Sequence, residues 1–320
     1  MTENPASQPA PAATHRLVVG IDGSEGGTRA LDWAAGQAAL TGSVLDIHTV
    51  HGSQYQYMTH GDVAASMADL TDLAVTRARK VAPGVATTTT GHEGQVVRAL
   101  AEASKDADLL VVGSRGLGGF AGLVLGSVGR GCALHAHCPV VVVRPPESPV
   151  DDANWWPPRR ILVGVDGSGA STLALEWAMH EAELANASVV AVTAWTWPKY
   201  FGWGMPLPGD YDASKDADAV LRGAVESASD RHPSVAISQK VVEGHPALTL
   251  VDESGYFDLL VVGSRGHGEL AGTLLGSVSE HCVSHAHCPV VVMRGNRRST
   301  PGTNPDRRHA PSATSQLAAR

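Results

Sequence analysis

Two glycine-rich loops with identical spacing are the features of this sequence best suited to bind a ligand. In the first, Gly113 follows an apolar run, Gly116 lies three residues on, and Gly126 stands directly before Ser127. Glycine lets backbone N–H groups approach a phosphate chain closely, because it lacks Cβ and tolerates positive φ. A helix starting near Ser127 would add its positive end and a hydroxyl donor. The spacing therefore predicts a loop that holds a triphosphate. The pattern recurs at Gly263, Gly266, Gly276 and Ser277.

Two aspartates are candidates for the nucleoside or metal side of such a site. Asp22 and Asp166 each follow the first apolar run of a repeat, at the place where ligands meet the carboxyl ends of parallel strands. A carboxylate there would accept a hydrogen bond from a ribose hydroxyl or hold water-bound Mg²⁺. The alternative is that each aspartate caps the helix that follows it.

Arginine and serine side chains lie beside the glycines of both loops. Arg115 and Arg265 would either add positive charge at the phosphates or point into solvent. Ser114 and Ser264 are interpreted as loop donors, since the sequence has no G-x-S-x-G elbow and offers no identifiable base partner. Neither loop contains a lysine, and no Walker-type motif occurs, so the arrangement used for fast phosphoryl transfer is missing. Turnover of a bound nucleotide is expected to be slow or absent.

Internal repetition shows how the elements around these loops are organised. The segment DLLVVGSRG at 108–116 recurs letter for letter at 258–266, and LVVGIDGS at 17–24 returns as ILVGVDGS at 161–168. Self-similarity of this kind marks a duplicated structural unit. The predicted bounds are a first domain at residues 15–144, a Pro-rich linker at 145–158, a second domain at 159–294, and disordered tails at 1–14 and 295–320.

Within each copy, short apolar runs alternate with helical patterns. Such alternation favours parallel strands with helices on both faces of the sheet, and near-continuous Val/Leu runs suit strands buried on both sides. The predicted fold class is α/β, with two tandem doubly wound domains, each having a five-stranded parallel sheet flanked by helices. In the first copy the predicted strands are Leu17–Ile21, Val44–Val50, Val85–Thr90, Leu109–Val112 and Val140–Val143, and the helices are Ala30–Leu40 capped by Ser24, Val63–Val81, Val96–Ala103 and one from Ser127.

The last strand of each copy is expected at a sheet edge. Val140–Val143 and Val290–Met293 are apolar, and apolar edge strands invite pairing with another strand. Their mutual pairing would make the tandem an internal pseudo-dimer. Further homodimerisation is compatible with this arrangement, but nothing in the sequence determines its interface.

Composition and charge argue against several classes of protein. The chain of 320 residues is 43% hydrophobic, which is typical of a globular protein. Its formal net charge of −8 and the lack of a basic block argue against a nucleic-acid partner. No stretch approaches the roughly 20 apolar residues that span a bilayer, and the start lacks the features of a signal peptide. These observations predict a cytoplasmic protein that crosses no membrane.

A repeated cluster of cysteines and histidines contains residue types that bind zinc. It comprises Cys132, His135, His137 and Cys138, with the copies Cys282, His285, His287 and Cys288. A helix running past His135 into a strand at Pro139 would separate these side chains, so no metal is predicted and the cysteines are expected to be reduced, small apolar residues. The aromatic stretch at 195–211, found in the second copy, is expected to form a partner surface or lid, or to pack over the neighbouring domain.

The repeated motifs together resemble those of the universal stress protein family. They are VGIDGS and VGVDGS, GHEG and VEGH in mid-domain, GSRG followed after nine residues by GSV, and HCPVVV near the end of each copy. The resemblance covers residues 15–144 and 159–294 and is to the tandem, ATP-binding type found in actinobacteria. It implies a five-stranded parallel sheet and ATP as ligand, with Mg²⁺ as a candidate companion ion. The candidate ATP-binding residues are Gly20, Asp22, Gly113, Ser114, Arg115, Gly116, Gly119, Gly126 and Ser127, with Gly164, Asp166, Gly263, Ser264, Arg265, Gly266, Gly268, Gly276 and Ser277 in the second copy.

Three functions are compatible with these motifs. The first is a regulator in stress or dormancy, in which bound ATP alters the conformation of the protein or its contacts with an unknown protein partner. The second is a slow ATPase or nucleotide-transferring enzyme that uses Asp22 or Asp166 to orient water or metal. The third is a structural dimerisation module whose sites are vestigial. Both glycine loops are intact, so binding at two sites per chain is expected.

Overall fold

The computed structural model describes residues 15–51, 60–116, 125–144, 156–196, 212–266 and 275–294. The first half contains β1 (Arg16–Ile21), α1 (Glu25–Thr41), β2 (Val44–His51), α2 (His60–Val81), β3 (Thr87–Glu93), α3 (Val96–Ala103), β4 (Leu109–Gly113), α4 (Ser127–His135) and β5 (Val140–Val143). The second half contains β6 (Arg160–Gly164), α5 (Gly169–Ala185), β7 (Ser188–Trp195), α6 (Ala213–Arg231), β8 (Ala236–Glu243), α7 (Pro246–Ser254), β9 (Leu259–Gly263), α8 (Ser277–His285) and β10 (Val290–Met293). Both predicted tails, linker residues 145–155, Gly119, Gly268 and most of the aromatic stretch lie outside the described residues.

The strands form one sheet in the order β3-β2-β1-β4-β5-β10-β9-β6-β7-β8. Within each half all neighbouring strands are parallel, which confirms two doubly wound units of five strands. In the first half the chain moves outward from β1 to β3 and then returns to place β4 on the other side of β1. The β1/β4 boundary is therefore a topological switch point, and β6/β9 is its counterpart. Ligands of open α/β sheets bind at such crevices.

Apolar side chains cover both faces of the sheet. Along β1, Leu17 and Val19 belong to a buried cluster with residues of α1, α2, α5 and α6. Val18 belongs to a second cluster with residues of α3, α4, α7 and α8. Because successive strand residues point to opposite faces, a continuous apolar run such as LLVVG in β4 and β9 supplies both clusters.

Helix α1 begins earlier than the sequence predicted. It starts at Glu25 instead of Ala30, because Ser24 is its N-cap and accepts a hydrogen bond at 3.0 Å from the backbone N–H of Gly27. The role of Ser24 was predicted, but the two glycines in the first turn carry no apolar periodicity. Capping therefore determines the start of this helix where the hydrophobic pattern does not.

Strand β3 is displaced relative to its predicted position of Val85–Thr90. The N–H of Val85 donates to the carbonyl of Ala82 at 3.2 Å, which closes the turn after α2. Pairing with β2 then runs from Thr87 to Glu93. The strand is shifted toward the carboxyl edge of the sheet, because the apolar Val85 forms part of the turn and does not pair with β2.

The two halves are joined through their last strands, as predicted. Strand β5 pairs antiparallel with β10, and Val141 lies opposite Val291. Both valines are fully buried. Arg144 donates across the junction to carbonyl oxygens at the end of α8, and Arg294 donates to carbonyl oxygens at the end of α4. Equivalent residues therefore make reciprocal contacts, as expected of a pseudo-two-fold interface.

Candidate functional site

The first predicted site lies where β1 and β4 end side by side. Gly113 is the last residue of β4, and a Cβ on it would lie 2.6 Å from the backbone carbonyl atoms of Gly26. That distance is too short for any side chain, so glycine is required for the loop after β4 to pack on the first turn of α1. The start of α1 and the first glycine of the motif are thus held in contact.

Asp22 and Gly116 approach each other closely in this crevice. A Cβ on Gly116 would overlap the Oδ2 atom of Asp22. The other carboxylate oxygen of Asp22, Oδ1, accepts from the N–H of Ser24 at 3.0 Å and from its hydroxyl at 2.5 Å. Asp22 therefore holds the capping serine in place, while Ser24 itself caps α1. The alternative that Asp22 is the cap of α1 does not agree with these contacts.

The loop between Gly113 and α4 contains a buried hydroxyl group. Ser114 is 1% exposed, and its Oγ has no hydrogen-bond partner within the described residues. Its backbone is fixed on both sides, because its N–H donates to Val143 at 2.8 Å and its carbonyl accepts from Gly126 at 2.7 Å. A buried donor without a partner is unusual and calls for an acceptor at this position.

Helix α4 begins at Ser127, as predicted, directly after Gly126. Gly126 is its N-cap and provides no capping side chain. Helix α1 differs, since Ser24 satisfies an N–H group of its first turn. An anion would be stabilised by the N-terminal end of α4.

The second site repeats this arrangement. The N–H of Ser168 donates to Asp166 Oδ1 at 2.9 Å. Ser168 caps α5, and a Cβ on Gly266 would overlap Asp166 Oδ2. The carbonyl of Ser264 accepts from Gly276 at 2.7 Å, directly before α8. The sequence duplication is therefore a duplication of the site geometry.

Two hydroxyl groups distinguish the second site from the first. The Oγ of Ser171 accepts from the N–H of Asp166 at 3.3 Å. The Oγ of Ser279 donates to the carbonyl of Ser264 at 3.1 Å. The first half has glycines at both equivalent positions. The second site is thus more extensively hydrogen-bonded to itself.

The remaining predicted residues fall into two groups. Arg115 and Arg265 are exposed at the loops. Gly20 and Gly164 lie within β1 and β6, where a Cβ would come within 2.7 or 2.8 Å of a leucine on α3 or α7. Close packing of these helices on the sheet is by itself a sufficient reason for glycine at both strand positions.

Sequence reasoning missed the contribution of the Gly26–Gly27 pair. A Cβ on Gly26 would overlap the carbonyl oxygen of Arg115, and one on Gly27 would lie 2.8 Å from Asp22 Oδ1. Because neither glycine has a side chain, the glycine loop and Asp22 can both lie against the first turn of α1. The signal was present as two consecutive glycines directly after the IDGS motif and Glu25.

A buried polar network in the first half also escaped prediction. His48 contacts Asp46 Oδ2 through Nε2 and the ring of His92 through Nδ1, each at 2.8 Å. Burial raises the pKa of Asp46, but hydrogen bonds from His48, Arg16 and Thr88 outweigh it and hold that pKa well below its usual range. The equivalent strand of the second half has valines at the positions of Asp46 and His48. The network therefore joins β1, β2 and β3 in the first unit.

The model of the universal stress protein family matches this chain twice, at residues 13–144 and 158–294. The chain belongs to the universal stress protein family. Its relatives include universal stress protein Rv2623 of Mycobacterium tuberculosis, which is 43% identical over 200 residues, covering 62% of this chain and 65% of the relative. The chain thus spans less than two thirds of the length of that relative. Universal stress protein Rv2005c of the same organism is 33% identical over 301 residues, covering 89% of this chain and 98% of the relative.

Solved structures support the fold of this universal stress protein. A universal stress protein from Archaeoglobus fulgidus has a TM-score of 0.64 and 19% identity, covering 89% of this chain and 97% of that one. At this level of identity the likeness concerns the fold alone. Two doubly wound units in tandem are thus an architecture that this family adopts.

No helix within the described ranges is both long and apolar enough to cross a bilayer. Across those ranges no three His, Cys, Asp or Glu side chains come together as a metal site.

The cysteines of this universal stress protein are free and buried. Burial raises the pKa of Cys132, Cys138 and Cys282 to about 12 and raises that of Cys288 as well. Since the thiolate is the reactive form, we expect the native chain to resist Ellman's reagent, whereas the chain in denaturant should titrate all four thiols. Rapid labelling of the native chain would show that a cysteine is accessible and contradict this expectation.

Proposed function

We propose that this universal stress protein binds one ATP at each of its two topological switch points, β1/β4 and β6/β9. In this proposal it acts as a nucleotide-dependent regulator in a stress or dormancy response. The observation that supports it best is the contact of Gly116 with the Asp22 carboxylate beside the buried, unpartnered hydroxyl of Ser114. A carboxylate can accept a hydrogen bond from a ribose hydroxyl, while an exposed backbone N–H and a hydroxyl group can donate to a phosphate chain. We further propose the domain bounds 15–144 and 159–294 and a cytoplasmic location.

The residues of the first site offer hydrogen-bond donors and positive charge to a triphosphate. Gly116 leaves backbone exposed next to Asp22, so phosphates can approach its N–H group. Ser114 Oγ and the start of α4 at Ser127 would donate further hydrogen bonds, and Arg115 would add positive charge. Asp22 would accept from the ribose or, through water, hold Mg²⁺ bound to the phosphates. The second site would use the equivalent residues.

Binding without rapid chemistry is what favours a regulator over an enzyme. Each glycine loop lacks the lysine that P-loop enzymes place at the transferred phosphate. The carboxylate of Asp22 is the one observation that favours the alternative of a slow ATPase, because it could orient a water molecule. It is already engaged in two hydrogen bonds with Ser24, which makes it a poor general base.

The test of this proposal is a measurement of nucleotide stoichiometry. Isothermal titration of nucleotide-free protein with ATP and Mg²⁺ should give two nucleotides per chain. Native mass spectrometry should show the chain with the added mass of two nucleotides. The additional hydroxyl contacts of the second site should make the two affinities unequal. Absence of binding would reject the nucleotide proposal, while binding followed by conversion to ADP within minutes would favour the enzyme.

A further inference from the structure

Gln37 on α1 and Glu181 on α5 occupy equivalent positions of the two domains and contact each other. They are 144 positions apart, the same separation as Asp22 and Asp166, so the pseudo-two-fold relation places them face to face. Gln37 Nε2 donates to Glu181 Oε2 at 2.8 Å, and both residues are 2% exposed. The interface between the domains thus contains a buried pair of one amide and one carboxyl group.

One oxygen atom of each side chain in this pair lacks a partner. Oε1 of Gln37 and Oε1 of Glu181 are buried and accept no hydrogen bond from any described residue. Both an amide carbonyl and an ionised carboxylate can only accept. With Glu181 ionised, two acceptors would remain unsatisfied in a site buried from solvent, which is costly. A proton on Glu181 removes both defects, because the resulting hydroxyl can donate to the amide carbonyl.

The elements around Glu181 bring no ionised partner to its carboxyl within the described residues. Helix α1 contributes the neutral amide, and strands β6, β7, β9 and β10 contribute apolar side chains to the same core. Arg231 at the end of α6 binds Glu176 of α5, and His232, the next residue, contacts Glu183 of the same helix. No opposite charge is therefore placed to stabilise an ionised Glu181.

We propose that Glu181 is a neutral carboxylic acid that forms a two-way hydrogen-bonded pair with Gln37 and so joins the two domains. Gln37 Nε2–H donates to Glu181 Oε2, and Glu181 Oε1–H donates to Gln37 Oε1. The proton comes from solvent and returns there on ionisation, so no other reactant is involved. This inference is independent of whether ATP binds.

Burial raises the pKa of Glu181 from 4.5 to about 7, although the hydrogen bond from Gln37 opposes the change. The folded chain then holds a proton that the unfolded chain releases. Stability from this group is fully present below about pH 4.5, falls as the pH rises, and is lost above about pH 7. Each pKa unit corresponds to a factor of ten in the folding equilibrium, so the loss across this window is about a hundredfold or more.

The position of the pair connects this titration to the candidate sites. Helices α1 and α5 are capped by Ser24 and Ser168, which the site aspartates hold in place. Gln37 and Glu181 join the same two helices farther along their length. Ionisation near neutral pH would weaken the contact between these helices and make domain association sensitive to pH.

Replacing the acid by an amide tests the shared proton. In Glu181→Gln the new amide can donate to Gln37 and accept from it, so the two-way pair is kept without a titrating group. We expect the variant to match the wild type near about pH 5 and to be about a hundredfold more stable in its folding equilibrium near about pH 8. Thermal and urea unfolding of the full chain across this range measure the difference. Glu226→Gln, at an exposed glutamate of α6, is the matched control and should follow the wild type.

Two outcomes would overturn the proposal. One is a Glu181→Gln variant whose stability changes with pH in parallel with the wild type. A purely structural role of Glu181 would change the stability by the same amount at every pH. The other comes from infrared spectroscopy of the wild type, which does not depend on the folding of any variant. A buried carboxylic-acid carbonyl band should be present at about pH 5 and disappear as the pH rises through about 7. Absence of that band at the lower pH would show that Glu181 is ionised.

Discussion

We expect Gly116→Ala to weaken ATP binding at the first site by about a hundredfold or more. The new Cβ would overlap Oδ2 of Asp22, so the carboxylate or the loop must move away from its place beside the phosphates. Losing two charge-assisted hydrogen bonds, each contributing about 1.5–3 kcal/mol, accounts for an effect of this size. The loop is exposed at this residue, so the thermal stability of the chain should change little.

The duplicated site provides the internal comparison for this experiment. Gly116→Ala alone should reduce the stoichiometry measured by calorimetry from two nucleotides per chain to one. Adding Gly266→Ala should abolish the remaining binding, because its Cβ would overlap Asp166 in the same way. Gly223→Ala is the control, since a Cβ there meets no atom within 4 Å. Wild-type affinity in the double variant would place the nucleotide elsewhere and reject the proposed site.

The fold was predictable because its determinants are local and repeated. Continuous Val/Leu runs such as Leu109–Val112 are typical of strands buried on both faces, and the helical stretches between them favour parallel pairing. The edge pairing of β5 with β10 also followed from sequence, since an apolar strand at a sheet edge needs a partner. The starts of α1 and β3 were misplaced, because a serine cap and a turn at Val85 override the hydrophobic pattern at those points.

Parts of the candidate site depend on contacts that no local pattern encodes. The glycine spacing predicted the loops and the start of α4. It did not reveal that Gly26 must lack a side chain because the carbonyl of Arg115 lies against it. The pair of Gln37 and Glu181 and the network at Asp46 were equally invisible. Each joins residues at least 30 positions apart or on different domains, and only the folded sheet brings them together.

The largest effect on stability is expected from Val141→Lys. Val141 is fully buried at the middle of the β5/β10 junction, opposite Val291. An ammonium group placed there would lose its hydration and find no carboxylate among the strand residues around it. The cost of such a buried, unpaired charge is several kcal/mol, which is a large part of the roughly 5–15 kcal/mol that stabilises a typical domain. Urea unfolding should therefore shift to much lower concentration, and small-angle X-ray scattering should show a more extended particle.

A surface valine and a milder substitution make this prediction specific to the junction. Val81→Lys changes a valine of α2 that is 43% exposed, so its effect should be within about 0.5 kcal/mol of the wild type. Val141→Thr keeps the shape of the side chain and buries one hydroxyl, which should cost about 1–3 kcal/mol while the chain still folds. If Val141→Lys unfolded no earlier than Val81→Lys, the two halves of the sheet would not be joined through β5 and β10, because a lysine can be tolerated without cost only where water reaches it.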